Sequence, residues 1–453
     1  MQITDESDNC LAQAFSMLEQ WKLFDKADEI QTLGNAAVYK TSVVVYLMLY
    51  QRMSGSHSLK EAVEYFFNNA PITPNSNRRL RERSLSLETG SYSAARKRLS
   101  VDLVNWLQTQ VSDSIIRTTA PSFKSRRVFL IDGTILSAAP TPVLQKAFPP
   151  NTNQYGEGVW PMIQLVTAHE LSSGAALPPE IGPQNGPNAI GETLLAEGLI
   201  ARLPPESTVM ADSAFGIFHV AFKAREHGHN FVFRLTSTRF NSHIKQAELV
   251  SENEGVRTYR LTWRPSKREC ASHPLLPKDA SLEVRIIATK IGEEWLYLIT
   301  DINATNGELK SLYFERYDIE VDIRNIKVVL KAEHFYCKSV EMLYKEIGMA
   351  MVAYNLTTQL RRLAAAKAKR LPRDLSFTGV WIVYRHQLQN ILFTNAKDLQ
   401  QALSNAIDRA SKHKLPNRPG RSFPREAYKR RPKSTHFKTR KRKENPEEDD
   451  TQS

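Results

Sequence analysis

The chain has 453 residues, 61 Lys and Arg against 48 Asp and Glu, a formal net charge of +13 and three cysteines. That length can bury one large core or several, and so few cysteines exclude a disulfide framework and fit a reducing cytoplasm. The longest apolar stretch, 42–50, is far short of the roughly 20 residues a membrane span needs, and Asp5, Glu6 and Asp8 exclude a basic secretory leader, so a soluble cytoplasmic protein with no membrane partner is expected.

Apolar residues recur at spacings of 3 and 4 in 11–23 and again in 36–50, which predicts a helical segment over 10–115. Near its end Gly90 opens a short helix whose first turns are small and whose last carries Arg96, Lys97 and Arg98. Small residues permit close approach to a DNA groove and cations reach phosphates, so Arg96 and Arg98 are candidate DNA contacts in a helix-turn-helix arrangement. An ordinary helical hairpin with a charged outer face accounts for the same residues.

From 126 to 236 the pattern alternates: strands at 128–131 and 162–169, a Pro/Gly-rich loop, a helix at 191–202, a strand at 208–211, a helix at 218–227 and a strand at 230–236. Strands alternating with helices predict an α/β layered core. Short β-rich alternations at 256–263, 282–289 and 294–300 then predict a strand-built insertion. A helix over 311–327 and a long apolar-periodic helix over 340–363 follow, the second reading as packing. The expected division is a helical DNA-binding domain at 1–120, the first part of the core at 121–236, the β-rich insertion at 237–305, the second part of the core with closing helices at 306–405, and a basic tail at 406–453. Residues 412–443 hold 14 Lys and Arg against one acid, Glu426, so this stretch alone carries the whole net charge. Such a segment cannot build a core, and its natural partner is a nucleic-acid backbone.

Three acids follow buried strands: Asp132, Asp212 and Asp301. Asp at a strand end often serves only to bond the turn. On the helix predicted over 311–327, Tyr313, Arg316, Glu320 and Lys327 fall within an arc of roughly 60°, placing one carboxylate between two cations and a phenol. Solvated helices carry such charges for modest ion-pair support. Two aspartates on adjacent strands and a glutamate packed across them, however, form a cluster that needs cations, and hard oxygen donors without His or Cys favour Mg²⁺ or Mn²⁺. A pair of such ions suits phosphoryl transfer on a polyanion.

The order Asp132-Gly-Thr, then Asp212-x-Ala-Phe, then Tyr-x2-Arg-x3-Glu-x6-Lys closely resembles the DDE transposases of bacterial insertion sequences, specifically the IS4 family with its Tyr-Arg-Glu-Lys signature. The basic, proline-bounded segment 422–432 resembles the ends of such proteins too. The resemblance implies an RNase H-like core interrupted by a β-rich insertion, with a helical N-terminal domain and a basic C-terminal tail. It implies Asp132, Asp212 and Glu320 as catalytic residues and ligands of two Mg²⁺ or Mn²⁺ ions, Arg316 and Lys327 as phosphate contacts, and Tyr313 as an anchor for that helix and its DNA. The implied partners are double-stranded DNA, both transposon ends and target, bound by a homodimer in a nucleoid-associated setting in the bacterial cytoplasm. One departure is visible: the basic residue and Gly that commonly follow the second acid are Ser213 and Ala214 here. In the family the insertion can hold an extruded base against an aromatic ring, for which Trp263 and Trp295 are candidates, with core packing as the alternative for each.

Cys270 with His273 and His334 with Cys337 have metal-ligand spacing, but one pair lies in a loop of the insertion and the other in a helical stretch. No phosphate-binding glycine loop, dinucleotide fingerprint or nucleophile elbow occurs, so ATP use and acyl transfer lack support. Rival functions are a noncatalytic DNA-binding derivative and a metal-dependent nuclease on the same core.

Overall fold

The structure, a computed structural model, describes residues 26–31, 38–70, 77–153, 156–253, 255–391 and 396–416, with backbone alone at 387–391 and 396–400. The predicted helix at 11–23 lies outside these residues, as does the basic tail beyond residue 416.

A ten-stranded sheet organises the chain. Its central strand β1 (Val128–Ala138) pairs antiparallel with β4 (Met162–Glu170), which pairs antiparallel with β5 (Glu180–Pro183). On its other side β1 runs parallel to β6 (Thr208–Ala211), and β6 parallel to β7 (Asn230–Arg234). Short strands β2 (Thr152–Asn153) and β3 (Gly156–Glu157) form a separate ribbon. The Pro/Gly-rich loop expected between β4 and the next helix thus contains a strand, hidden from pattern reading by its four-residue length and its Gly and Pro.

The insertion is all antiparallel: β8 (Glu248–Asn253), β9 (Val256–Trp263), β10 (Leu282–Ile291) and β11 (Glu294–Thr300). It continues the central sheet, because β11 pairs with β7. Strands β9, β10 and β11 follow Val, Ile, Thr and aromatic runs, as β-branched and ring side chains favour.

Alternation along β1 sends its side chains to two faces. Phe129 and Ile131 join a core with α7 (Glu192–Ala201) and α8 (Phe218–Glu226) through Leu195, Leu199 and Phe218. Val128 and Leu130 face the other way, onto Leu309, Leu312 and Tyr313 of α11 (Asn306–Phe314) and Ile319 of α12 (Tyr317–Arg324). The long α13 (Val340–Lys367) closes this second face, where Tyr354 meets the ring of His169 edge-on.

The predicted N-terminal helices are α1 (Thr41–Ser54), α2 (Leu59–Asn69), α3 (Arg78–Arg81), α4 (Gly90–Arg98) and α5 (Val101–Arg117). They share a core with α13, and Gly348 of α13 lies so close to Val104 and Gln108 of α5 that a Cβ would collide with both. Glu346 of α13 accepts ion pairs from Arg52 of α1 and Arg96 of α4. Short helices α6 (Pro142–Ala147), α9 (Ser237–His243) and α10 (Lys267–Ser272) cap loops, and α14 (Phe377–Ile391) and α15 (Ala396–Ala410) end the described chain. The boundary expected at 405 falls inside α15.

Candidate active site

Asp132 lies in mid-strand rather than at a strand tip. β1 continues six residues beyond it because 133–137 go on pairing with β4, whereas the parallel partner β6 stops at Ala211. The register that matches Ile131 to Ala211 puts Asp132 and Asp212 next, side by side where one strand leaves the sheet. Asp132 accepts from the amide of Gly133 at 2.8 Å, and Asp212 from that of Ala214 at 2.8 Å, which fixes both carboxylates locally.

The electrostatics of the pair reflect this crowding. Burial, reinforced by the charges of Asp212 and Glu192 and opposed by the Gly133 amide and Arg316, pushes the Asp132 carboxyl up to about 6. Glu192 approaches from the opposite face, where Gln164 donates to it at 2.9 Å; the space a Cβ on residue 133 would need is filled by the Glu192 carboxylate. Gly133 is therefore a requirement of close packing and not a turn residue.

The helix expected over 311–327 is broken. α11 ends at Phe314 and α12 begins at Tyr317, with tightened i→i−3 bonds from Arg316 to Tyr313 and from Ile319 to Arg316 across the junction. After Arg324 a π-helical turn, Asn325–Val329, carries Lys327. The break lets α11 lay Leu309, Leu312 and Tyr313 on the sheet while α12 turns Asp322 inward, which one straight helix could not do together. Backbone dihedrals at Arg316 stay helical (φ −55°, ψ −32°), so Arg316 still reaches Glu320 one turn on, donating at 2.7 Å.

Arg316 links the groups. Burial works against its charge, but the bond to Glu320 and the charges of Tyr313, Glu320 and Asp132 hold its pKa above the ordinary value. Its guanidinium carbon lies 6.0 Å from the Tyr313 ring centroid. Tyr313 is buried, which pushes its phenol up to about 12 against the opposing charges of Arg316 and Arg234. Lys327 bonds Thr134 Oγ1 at 3.3 Å and the Ile135 carbonyl at 3.2 Å, and Thr134 points to the same face as Asp132. Asp132, Asp212, Tyr313, Arg316 and Lys327 thus gather on one face of the sheet, with Glu320 tied in through Arg316. Among the described residues the three acids do not bring one oxygen each to within 4.8 Å of one another; the Glu320 carboxylate faces Arg316.

Behind α12, Arg373 grips Asp322 with two bonds, at 3.0 and 2.9 Å, and Asp318 at 2.7 Å. Burial alone would raise the Asp322 carboxyl; Arg373 and His169 instead hold it well below the usual carboxylate range. Asp318 and Asp322 flank Glu320 in sequence, so the clamp sets the rotation of the helix that carries it. Sequence reading missed this network, and Arg373 gives no local signal because its partners lie about fifty residues away.

Several expectations are corrected. Arg96 is inside the protein, 8% exposed and paired with Glu346, so its guanidinium is spent on docking α4 to α13. Arg98 is exposed on the same helix. Asp301 is structural, bonding the Phe231 amide and Asn230 and pairing with Arg225. Trp263 packs in the core against Phe218. Trp295 lies half-buried beside Tyr297, with Arg257 over its ring. His334 bonds Ser137 while His273 stacks on His219, so the two Cys/His pairs do not form one site. Where a basic residue is absent after Asp212, Arg239 of α9 reaches the Ser213 carbonyl, and Arg234, the last residue of β7, lends its charge beside Tyr313.

The family profile described as transposase DDE domain matches residues 123–356. This chain is a DDE transposase of the IS4 family. It is 23% identical over 349 residues, 75% of its own length and 76% of the relative's, to the transposase InsG for insertion sequence element IS4 of Escherichia coli strain K12. The matched span begins just before β1 and ends within α13, so it contains every candidate catalytic group of the transposase along with the strands that extend its sheet. No helix among the described residues is long and apolar enough to cross a membrane.

Proposed function

We propose that this transposase cuts and rejoins DNA at the ends of its own insertion sequence, with Asp132, Asp212 and Glu320 as metal ligands and catalytic residues. The observation that carries the reading is the side-by-side placement of Asp132 and Asp212 where β6 leaves the sheet, under an Arg316 shared with Glu320. The strand order supports an RNase H-like core: three antiparallel strands, β5, β4 and β1, followed by β6 and β7 parallel to β1.

Two crowded carboxylates, one pushed up to about 6, suit divalent cations, and the all-oxygen donor set fits Mg²⁺ or Mn²⁺. When bound, a pair of such ions supplies activation of the attacking oxygen and counter-charge at the leaving oxygen. Arg316 and Lys327 neutralise the phosphate that approaches this face, with Lys327 fixed to Thr134 for the purpose. Tyr313 supports the Arg316 guanidinium from below. Glu320 would complete the ligand set by giving up its bond to Arg316, which would leave Arg316 available to phosphate.

The reaction is hydrolysis of one strand at the element boundary, attack by the freed 3′-hydroxyl on the opposite strand to give a hairpin and release the flanking DNA, hydrolysis of the hairpin to regenerate the 3′-hydroxyl, and attack of that hydroxyl on a target phosphodiester with a target 3′-hydroxyl leaving. Paired ends call for a homodimer on DNA. Arg98 and the basic tail add phosphate contacts, and Trp295 is the remaining candidate for stacking an extruded base. Mg²⁺-dependent cleavage of inverted repeats flanking the coding region is expected from the wild type, and its loss with retained end binding from Glu320→Gln. Normal cutting by that variant would sink the assignment.

A further inference from the structure

Apart from the acids on β1 and β6, three side chains from separate parts of the chain converge. Glu197 comes from α7, His219 from the first turn of α8, and His273 from the C-terminal cap of α10 in the β-rich insertion. One potential ligand atom from each lies within 4.8 Å of the other two. His219 Nε2 and Glu197 Oε1 are 2.5 Å apart, and the His219 and His273 rings lie face to face with centroids 3.5 Å apart and 13° from parallel. His219 is 4% exposed, and its second ring nitrogen, Nδ1, has no hydrogen-bond partner among the described residues.

We propose that Glu197, His219 and His273 form a second metal site, specific for zinc-class ions, that ties the β-rich insertion to helices α7 and α8.

Two imidazoles and a carboxylate are the donors zinc favours, and they differ from the all-oxygen set at the candidate active site. A tetrahedral zinc about 2.1 Å from each ligand spaces the ligand atoms about 3.4 Å apart. Closing the group onto an ion therefore asks for a ligand-atom shift of no more than about 1.4 Å and for the His273 ring to turn out of its stack on His219, so that its in-plane lone pair faces the ion. His273 is the member able to make it, because it is only partly buried and caps a six-residue helix. A neighbouring cation, Lys223 one turn beyond His219, is already paired with Glu226 at 2.7 Å. A neighbouring polar tie already holds the same junction: Glu269 of α10 accepts from the Phe218 amide at the start of α8 at 2.9 Å. The metal would lock in place what that single bond positions.

The test is zinc titration of the full-length chain after chelation, by calorimetry, with Co²⁺ substitution read by visible absorption. The wild type is expected to bind one zinc equivalent tighter than micromolar that Mg²⁺ does not displace, and to show tetrahedral Co²⁺ bands. His273→Ala, at a partly exposed position, should lose that equivalent or weaken it by at least about tenfold with an unchanged circular dichroism spectrum. Glu197→Gln, which preserves volume, should do the same, while Asp132→Asn should leave zinc binding intact and so separate this site from the active site. Absence of micromolar zinc binding by the wild type, or an undiminished equivalent in both His273→Ala and Glu197→Gln, would overturn the proposal.

Discussion

At the scale of single residues, Asp132 costs the fold stability. Its carboxyl is held at about 6, against 3.8 as the ordinary value. Between about pH 4 and 6 the native chain therefore holds more protons than the unfolded chain, and stability falls as pH rises through that window. A shift of about two units corresponds to at most about 3 kcal/mol, reduced by partial solvent access. Asp132→Asn is expected to raise the melting temperature at pH 7 by a few degrees, with the gain gone below about pH 4. Mg²⁺ should stabilise the wild type and not the variant, as binding to the native state alone requires. Thermal denaturation across pH, with and without Mg²⁺, checks both expectations. Asp132 and Asp212 were legible in sequence, since each follows a short apolar run, although Asp132 proves to lie inside its strand and not at the end. The role of Gly133 was not, because a glycine after an acid reads as a turn, whereas here it gives Glu192 room from a helix sixty residues away.

Among the elements, α12 is the part most dependent on its surroundings. Eight residues long and lying between a tight junction and a π-helical turn, it gains little from helix propensity alone. Its orientation comes from Arg373, and a bidentate pair on a fully buried Asp322 is costly to break from one side. Arg373→Ala is expected to destabilise the chain by about 3–5 kcal/mol in denaturant unfolding. Where the variant remains folded, DNA cleavage should fall more than end binding, because Glu320 and Arg316 lose their shared alignment. Equal loss of both would assign the clamp to general stability. Periodicity of 3.6 predicted one helix from 311 to 327 because it registers which residues share a face and not where the axis bends. The strands fared better: 208–211, 256–263 and 294–300 are observed with the expected limits. β5 and β8 escaped, one for its Gly and Pro and the other for its fully exposed, charge-bearing residues.

Across the whole molecule, the N-terminal helices and α13 meet through one acid serving two cations. Glu346 lies against Arg52, 3% exposed, and Arg96, 8% exposed. Burial alone would raise the Glu346 carboxyl, and the two arginines instead hold it below its ordinary value. Glu346→Ala should leave two guanidiniums facing each other without compensation and destabilise the chain by about 3–5 kcal/mol, with amide exchange rising first in α1 and α4. Uniform exchange across the sheet and the helices would instead mark a single cooperative unit. Sequence reading recovered the layered core and the β-rich segment but drew boundaries where the chain has continuous packing, because pairing between β7 and β11 and docking onto α13 leave no mark in local composition.

That shared ladder makes the sheet a mechanical linkage. The outermost strand β8 connects through β9, β10, β11 and β7 to β6, whose end bears Asp212, without a hinge loop in the path. Hydrogen-bonded strands shear far less readily than loops bend, so a displacement of the distal edge is passed along the ladder toward the pair of aspartates. The position of the outer insertion and the alignment of the acid pair are then coupled through one continuous sheet.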